Sequence, residues 1–186
     1  LKILFCMENV VKEKVWTYKD YLKLDDDKRY EVIKGRLIDI PAPSLNHQRI
    51  ILRLLKILLN MENLPGEIFV SPIDVVLGEE TVVQPDIVLI LGGSKAILKE
   101  RIFGSPDLII EVVSPSSYTR DRYEKFRIYE EFGVKEYWIV LPGEKVIEVW
   151  CLKEGKYVLH SVAVEKGEVE SCVLKGLKVN VEEVFG

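Results

Sequence analysis

The chain has 186 residues, 48% of them hydrophobic and 30% charged, enough for one domain with a full core and short for two. A formal net charge of -4 argues against a protein that coats nucleic acid without specificity, because that affinity comes from Lys and Arg neutralising phosphates. The longest apolar run, Ile50 to Leu59, is interrupted by Arg53 and Lys56 and falls far short of the roughly 20 residues of a membrane span, so no membrane partner is expected.

Residues 1–186 are read as a single α/β or α+β domain, with residues 1–15 as a poorly packed extension. Leu1 to Cys6 is apolar but too short for the apolar core of a signal peptide, which gives a cytoplasmic expectation. Cys6, Cys151 and Cys172 are odd in number and share no metal-ligand spacing, so they read as reduced thiols and a zinc site is not expected.

Thr17 is a plausible N-cap for a short helix running to Leu24, and Asp25-Asp26-Asp27 after it reads as a solvated loop. Tyr30 to Ile33 and Arg36 to Ile40, around Lys34-Gly35, form a hairpin that carries Glu31. Pro41-Ala42-Pro43-Ser44 breaks the chain, and Asn46-His47 leads into a helix to about Asn60 with Ile50, Leu54, Leu55 and Leu58 as its buried stripe. His47, in its first turn, either contacts a substrate or a carboxylate or serves as a capping and packing residue. Gly66 to Leu77 reads as a strand antiparallel to Val82 to Ile90, and Lys95 to Ile102 as a loop or short helix. A buried strand then lies in Pro106 to Ser117, opened by Gly104-Ser105-Pro106 and followed by a helix carrying Asp121 and Lys125. Tyr137 to Leu141, Val146 to Cys151 and Tyr157 to His160 are strands of a C-terminal β-meander, and Leu174 to Phe185 docks as a final strand and turn. The basic clusters Lys28, Arg29, Lys34, Arg36 and Arg120, Arg122, Lys125, Arg127 are either solvated charge or parts of a binding groove.

Two of these strands each place one carboxylate among β-branched residues: Asp86 in Val82 to Ile90 and Glu111 in Pro106 to Ser117. Ionised side chains are almost never fully buried unless paired or bound to metal. Neighbouring strands lie about 5 Å apart, so the two carboxylates can meet and share a divalent cation. Asp107 competes with Asp86 for that role, but four residues along one strand separate it from Glu111 by roughly 13 Å, which leaves it as a strand-opening residue. Oxygen ligands with little nitrogen or sulfur nearby favour Mg²⁺ or Mn²⁺, and the Val112 carbonyl offers a further oxygen. Asp121, Lys125, Ile128, Tyr129 and Phe132 fall on one helical face, so Lys125 points inward, either toward Glu111 as its counter-charge or into a structural pair with Asp121.

An Asp on one strand, a Glu on the next and a nearby Lys resemble the core of the PD-(D/E)XK, or restriction endonuclease-like, nucleases. Pro85-Asp86 matches the PD part and Glu111-Val112-Val113 the rest, with Val113 where the lysine should stand and Lys125 as a migrated lysine. The longer pattern, Tyr30 to Leu37, His47, Gln84-Pro85-Asp86, Pro106 to Ser116, Asp121, Lys125, Gly133-Val134 and Glu136 to Val140, is similar to the Uma-two type restriction endonuclease family. The resemblance implies a restriction endonuclease-like mixed β-sheet flanked by helices. It also implies Mg²⁺-dependent hydrolysis of phosphodiester bonds in nucleic acid, with DNA the first candidate and a homodimer as the expected assembly. In that scheme Asp86, Glu111 and Val112 hold metal, and Glu31, Asp86, Glu111 and Lys125 are catalytic. His47 and Asp121 face the substrate. The alternative is an inactive nuclease fold that serves as a dimeric binding or regulatory module.

Overall fold

The structure is a computed structural model and describes residues 14–186. Cys6 and most of the extension expected over residues 1–15 lie outside the described residues.

Thr17 caps α1 (Tyr18–Tyr21) reciprocally with Asp20, but no residue of that helix is buried, and it ends after one turn instead of reaching Leu24. The hairpin β1 (Tyr30–Ile33) and β2 (Arg36–Asp39) turns through Lys34 and Gly35 at φ of 47° and 75°, the paired positive values of a two-residue turn that matches strand twist. Ser44 caps α2 (Leu45–Leu59), whose buried face is Ile50, Ile51, Leu54 and Leu58.

The next two expected strands are each broken in two. Gly66 to Leu77 becomes β3 (Gly66–Val70) and β4 (Val75–Gly78), and Val82 to Ile90 becomes β5 (Thr81–Val83) and β6 (Ile87–Leu91). The breaks fall at Ser71-Pro72 and Gln84-Pro85-Asp86, where each proline lacks the N–H a central ladder needs. The antiparallel pairing expected of this region holds, but it is divided, because β3 pairs with β6 in one sheet and β4 with β5 in another. Lys95 to Ile102 forms neither helix nor plain loop; it supplies two short strands, β7 (Ile97–Leu98) and β8 (Ile102–Phe103).

The first sheet has the order β2-β1-β5-β4-β8-β7, and the second β12-β11-β10-β9-β6-β3. The second contains β9 (Leu108–Val112), β10 (Glu136–Leu141), β11 (Val146–Lys153) and β12 (Lys156–Val164). It is mixed, as expected: β9 and β10 run parallel, and β10 to β12 are an antiparallel meander. Between β9 and β10 a π-helical segment, Arg120–Lys125, leads directly into α3 (Phe126–Phe132). Alternation along β9 sends Leu108, Ile110 and Val112 toward α2 and the C-terminal segment. It sends Ile109 and Val113, with Glu111 between them, toward α3 and the first sheet.

The C-terminal segment forms β13 (Glu168–Glu170), β14 (Lys178–Asn180) and the short α4 (Val181–Phe185), so the expected final turn is a helix. It closes the α2 face of the second sheet, burying Leu174, Val179, Val181 and Val184. The expectation of reduced thiols fails here: Cys151 of β11 and Cys172 form a disulfide across Cα atoms 6.5 Å apart, because this segment folds back onto the meander. Among the described residues no helix is long and apolar enough to cross a membrane.

Candidate metal centre and nucleic-acid cleft

The site is assembled where the chain passes between the two sheets. Ile87 lies opposite Ile110 and Val88 opposite Ile109, so continuing this register by one residue sets Asp86 opposite Glu111. Asp86, just before β6, accepts a 2.7 Å hydrogen bond from the Val112 backbone through Oδ2. His47 Nε2 lies 3.2 Å from the same oxygen, so the first turn of α2 reaches a carboxylate.

Glu31 arrives from the first sheet. Its Oε1 accepts from the Gln84 backbone N–H at 2.8 Å, which ties β1 to the crossover before Asp86. Lys125 then joins the sheets: its Nζ is 2.7 Å from Glu31 Oε1, 2.8 Å from Glu111 Oε1 and 3.6 Å from Asp121 Oδ1. The pairing with Glu111 and the pairing with Asp121, alternatives on sequence grounds, both form. Tyr129, one turn into α3, donates to Glu111 Oε1 at 2.8 Å. Asp121, Lys125, Ile128 and Tyr129 are buried, so the inward face survives the π-helical geometry, a distortion frequent at functional sites.

Burial acts on each of these groups first. It raises the Glu111 pKa well above its usual value, an effect opposed by Lys125 and reinforced by Asp121, Asp86 and Glu31. Asp121 is raised by burial as well, again against the pull of Lys125. For Lys125 burial works toward the neutral amine, but Glu111, Glu31 and Asp121 more than reverse it, and the net shift is upward. Burial also lowers His47, and the hydrogen bond to Asp86 turns the balance upward.

Glu31, His47, Asp86, Glu111, Asp121 and Lys125 all line one cleft of about 720 Å³, together with Val112. A second cleft of about 840 Å³ is lined by Tyr123, Phe126 and Trp150 and contains none of these carboxylates. Asp107 stays out of the cleft, as its position on the strand predicts; it accepts from the Leu91 backbone at 2.9 Å and pairs with Lys135 at 2.6 Å. The Asp25-Asp26-Asp27 run is exposed loop.

The donor set fits a hard divalent cation. Val112 and His47 both use Oδ2 of Asp86, and Lys125 and Tyr129 both use Oε1 of Glu111, so each carboxylate keeps a second oxygen. Glu31 Oε2 and Asp121 Oδ1 are buried without a hydrogen-bond partner, and their charge is met at longer range by Arg120 Nε at 3.5 and 3.8 Å and, for Asp121, by Lys125 Nζ at 3.6 Å. All these ligands are oxygens, which suits Mg²⁺ or Mn²⁺. A second acidic group, Glu136 with Cys151 and Cys172, does not fit, because its two sulfurs are joined to each other.

Sequence reasoning named Arg29 and Arg120 only within basic clusters, as solvated charge or parts of a binding groove, and gave Gln84 no role of its own. Gln84 and Arg29 stand next to recognised positions, but what places them is the crossover between sheets, which no local pattern encodes.

Residues 18–182 match the family model described as "Uma2: Putative restriction endonuclease". An uncharacterized protein of Synechocystis is 30% identical over 173 residues, covering 89% of this chain and 98% of that protein. The crystal structure of a putative nuclease belonging to DUF820 from Anabaena variabilis superposes with a TM-score of 0.74. That match has 18% identity and covers 91% of this chain and 97% of the other, a likeness of fold.

Proposed function

Because the chain belongs to the Uma2 restriction endonuclease family, we propose that it hydrolyses phosphodiester bonds of nucleic acid, DNA first among them, with Mg²⁺ or Mn²⁺ held by Asp86, Glu111 and the Val112 carbonyl. The observation that carries this reading is the migrated lysine. Val113 occupies the usual lysine position, yet Lys125 Nζ lies 2.8 Å from Glu111, within hydrogen-bond reach from a different element.

Asp86, Glu111 and the Val112 carbonyl would hold the cation, which when bound would supply Lewis acidity to activate water and offset charge on the phosphate. The chain's own groups prepare the place. Lys125, enclosed by three carboxylates, acts as a fixed positive charge that orients Glu111 and steadies an attacking water; it is too strongly held as the ammonium to serve as a base. Tyr129 fixes the Glu111 carboxylate from the helix side, and His47 fixes Asp86. Glu31 holds Lys125 between the sheets. Asp121 repels a phosphate, so we assign it to positioning Lys125 and Arg120, whose Nε is 3.8 Å from it, and His47 to holding Asp86. Cutting both strands of a duplex needs two such sites, which a homodimer provides.

The test is cleavage of mixed single- and double-stranded DNA and RNA in Mg²⁺ or Mn²⁺. Asp86→Ala and Lys125→Ala each lower the rate by about 10²-fold or more, on the scale of removing one preorganised electrostatic group, while circular dichroism reports the folded fraction at the assay temperature. Unchanged cleavage in both variants removes this site from consideration. Metal binding by the wild type without cleavage of any substrate assigns the fold to a binding or regulatory module.

A further inference from the structure

The cleft poses an electrostatic problem for the reading above. Four carboxylates line it, and a phosphodiester must enter beside them. Most of the cations at hand are already committed. Lys125 is buried and spends its charge on Glu31, Glu111 and Asp121. His47 is directed at Asp86, and Arg120 lies 3.5 Å from Glu31 Oε2 and 3.8 Å from Asp121 Oδ1.

Arg29 is different. It lines the same cleft, immediately before β1, and its guanidinium is held by two neutral acceptors: Nε donates to Gln84 Oε1 at 3.0 Å and Nη2 to Ser71 Oγ at 2.7 Å. Among the described residues it makes no ion pair. A guanidinium carries five N–H donors, so the two bonds fix its plane and leave the rest, with the full charge, unspent. The backbone carbonyl of Arg29 is also fixed, because Ile40 N–H donates to it at 2.8 Å.

Its two anchors bracket Asp86. Gln84 stands two residues before it and supplies the N–H that holds Glu31, and the Ser71 N–H donates to the Asp86 carbonyl at 3.0 Å. The geometry points to Arg29 as the residue that binds a non-bridging phosphate oxygen of the nucleic-acid backbone beside Asp86. A rigid, charged fork held by neutral groups suits this task, since bidentate arginine contacts to phosphate lose little side-chain freedom on binding. The assignment rests on the nuclease reading and adds the group that accepts the substrate's charge.

The experiment measures binding of labelled single- and double-stranded oligonucleotides by anisotropy across a salt series, with Ca²⁺ replacing Mg²⁺, and in parallel the steady-state kinetics of cleavage in Mg²⁺. Arg29→Gln lowers affinity about tenfold and reduces the slope of log affinity against log salt by about one contact. It raises KM and largely keeps kcat, the pattern of lost ground-state binding. Arg29→Lys restores the slope while recovering only part of the affinity. If Arg29 only braces Gln84 and Ser71, Arg29→Gln lowers the unfolding temperature and kcat but leaves the salt slope at the wild-type value, and the assignment is overturned while the nuclease reading stands. A wild type that neither binds nor cleaves any of these oligonucleotides overturns both.

Discussion

Glu111 and Glu136 sit on adjacent parallel strands of one sheet, both almost wholly buried, and differ in what surrounds them. Glu136 faces the α2 side with Trp138. Its carboxylate accepts from Trp138 Nε1, from Ser171 Oγ at 3.0 Å and from the backbone N–H groups of Cys172 and Val173 at 2.7 Å each. All four donors are neutral, and they fold residues 171–173 against the sheet. Burial raises the Glu136 pKa and these hydrogen bonds oppose the rise. Glu111 faces the other side, among carboxylates, with one oxygen used by Lys125 and Tyr129 and two neighbouring carboxylate oxygens, of Glu31 and Asp121, that accept no hydrogen bond and are met only by longer ion pairs with Arg120 and Lys125. One buried carboxylate is saturated and closed over, and the other belongs to an incomplete constellation open to a cleft. Completeness of the hydrogen bonding, more than burial, separates the structural glutamate from the candidate ligand.

The comparison is sharpened most by removing Lys125. Lys125→Ala leaves Glu31, Glu111 and Asp121 in one buried space without their cation, and breaking a buried pair in this way costs about 3–5 kcal/mol. Urea unfolding measures the loss, and added Mn²⁺ restores part of it if the carboxylates form a metal site. Glu136→Gln keeps the shape but mismatches donors, costing roughly 1–3 kcal/mol with no effect on cleavage. A Glu136→Gln enzyme that folds normally yet fails to cut would erase the distinction between the two glutamates.

The smallest effect concerns Asp107, a buried carboxylate just before β9. Burial works to raise its pKa, but Lys135 and the Leu91 N–H more than offset this, and the carboxyl ends below its ordinary value. A depressed acid stabilises the fold above its unfolded pKa and loses that contribution as the pH falls through the folded one. Lys135→Ala is therefore less stable than wild type at neutral pH, and the gap, followed by urea unfolding, closes in acid below the depressed value. A gap that persists unchanged there assigns the loss to packing of the lysine stem instead.

Much of the candidate site was legible because its signals are local. A lone carboxylate in a β-branched strand marks Asp86 and Glu111, and helical spacing turns Lys125 inward with Asp121 and Tyr129. The same reasoning stops short at Glu136, where Tyr137 reads as the start of the strand and the neutralising donors come from residues 171–173, far along the chain. It also stops at Pro72 and Pro85. Two apolar runs read as two strands, whereas the prolines cut each in half and pass the halves to different sheets, and that division is what brings Glu31, Gln84 and Arg29 to Asp86. The Cys151–Cys172 disulfide was hidden for a related reason, since only the folded-back C-terminal segment sets the two cysteines together.

The account turns on Asp86 and Glu111 acting as one cation site, and calorimetric titration of Mn²⁺ into the wild type and into Glu111→Gln, with cleavage followed in the same samples, tests it directly. The expected result is Mn²⁺ binding and metal-dependent cleavage by the wild type, both lost in a folded Glu111→Gln protein. Wild-type Mn²⁺ affinity in Glu111→Gln, or no binding by the wild type, would contradict it.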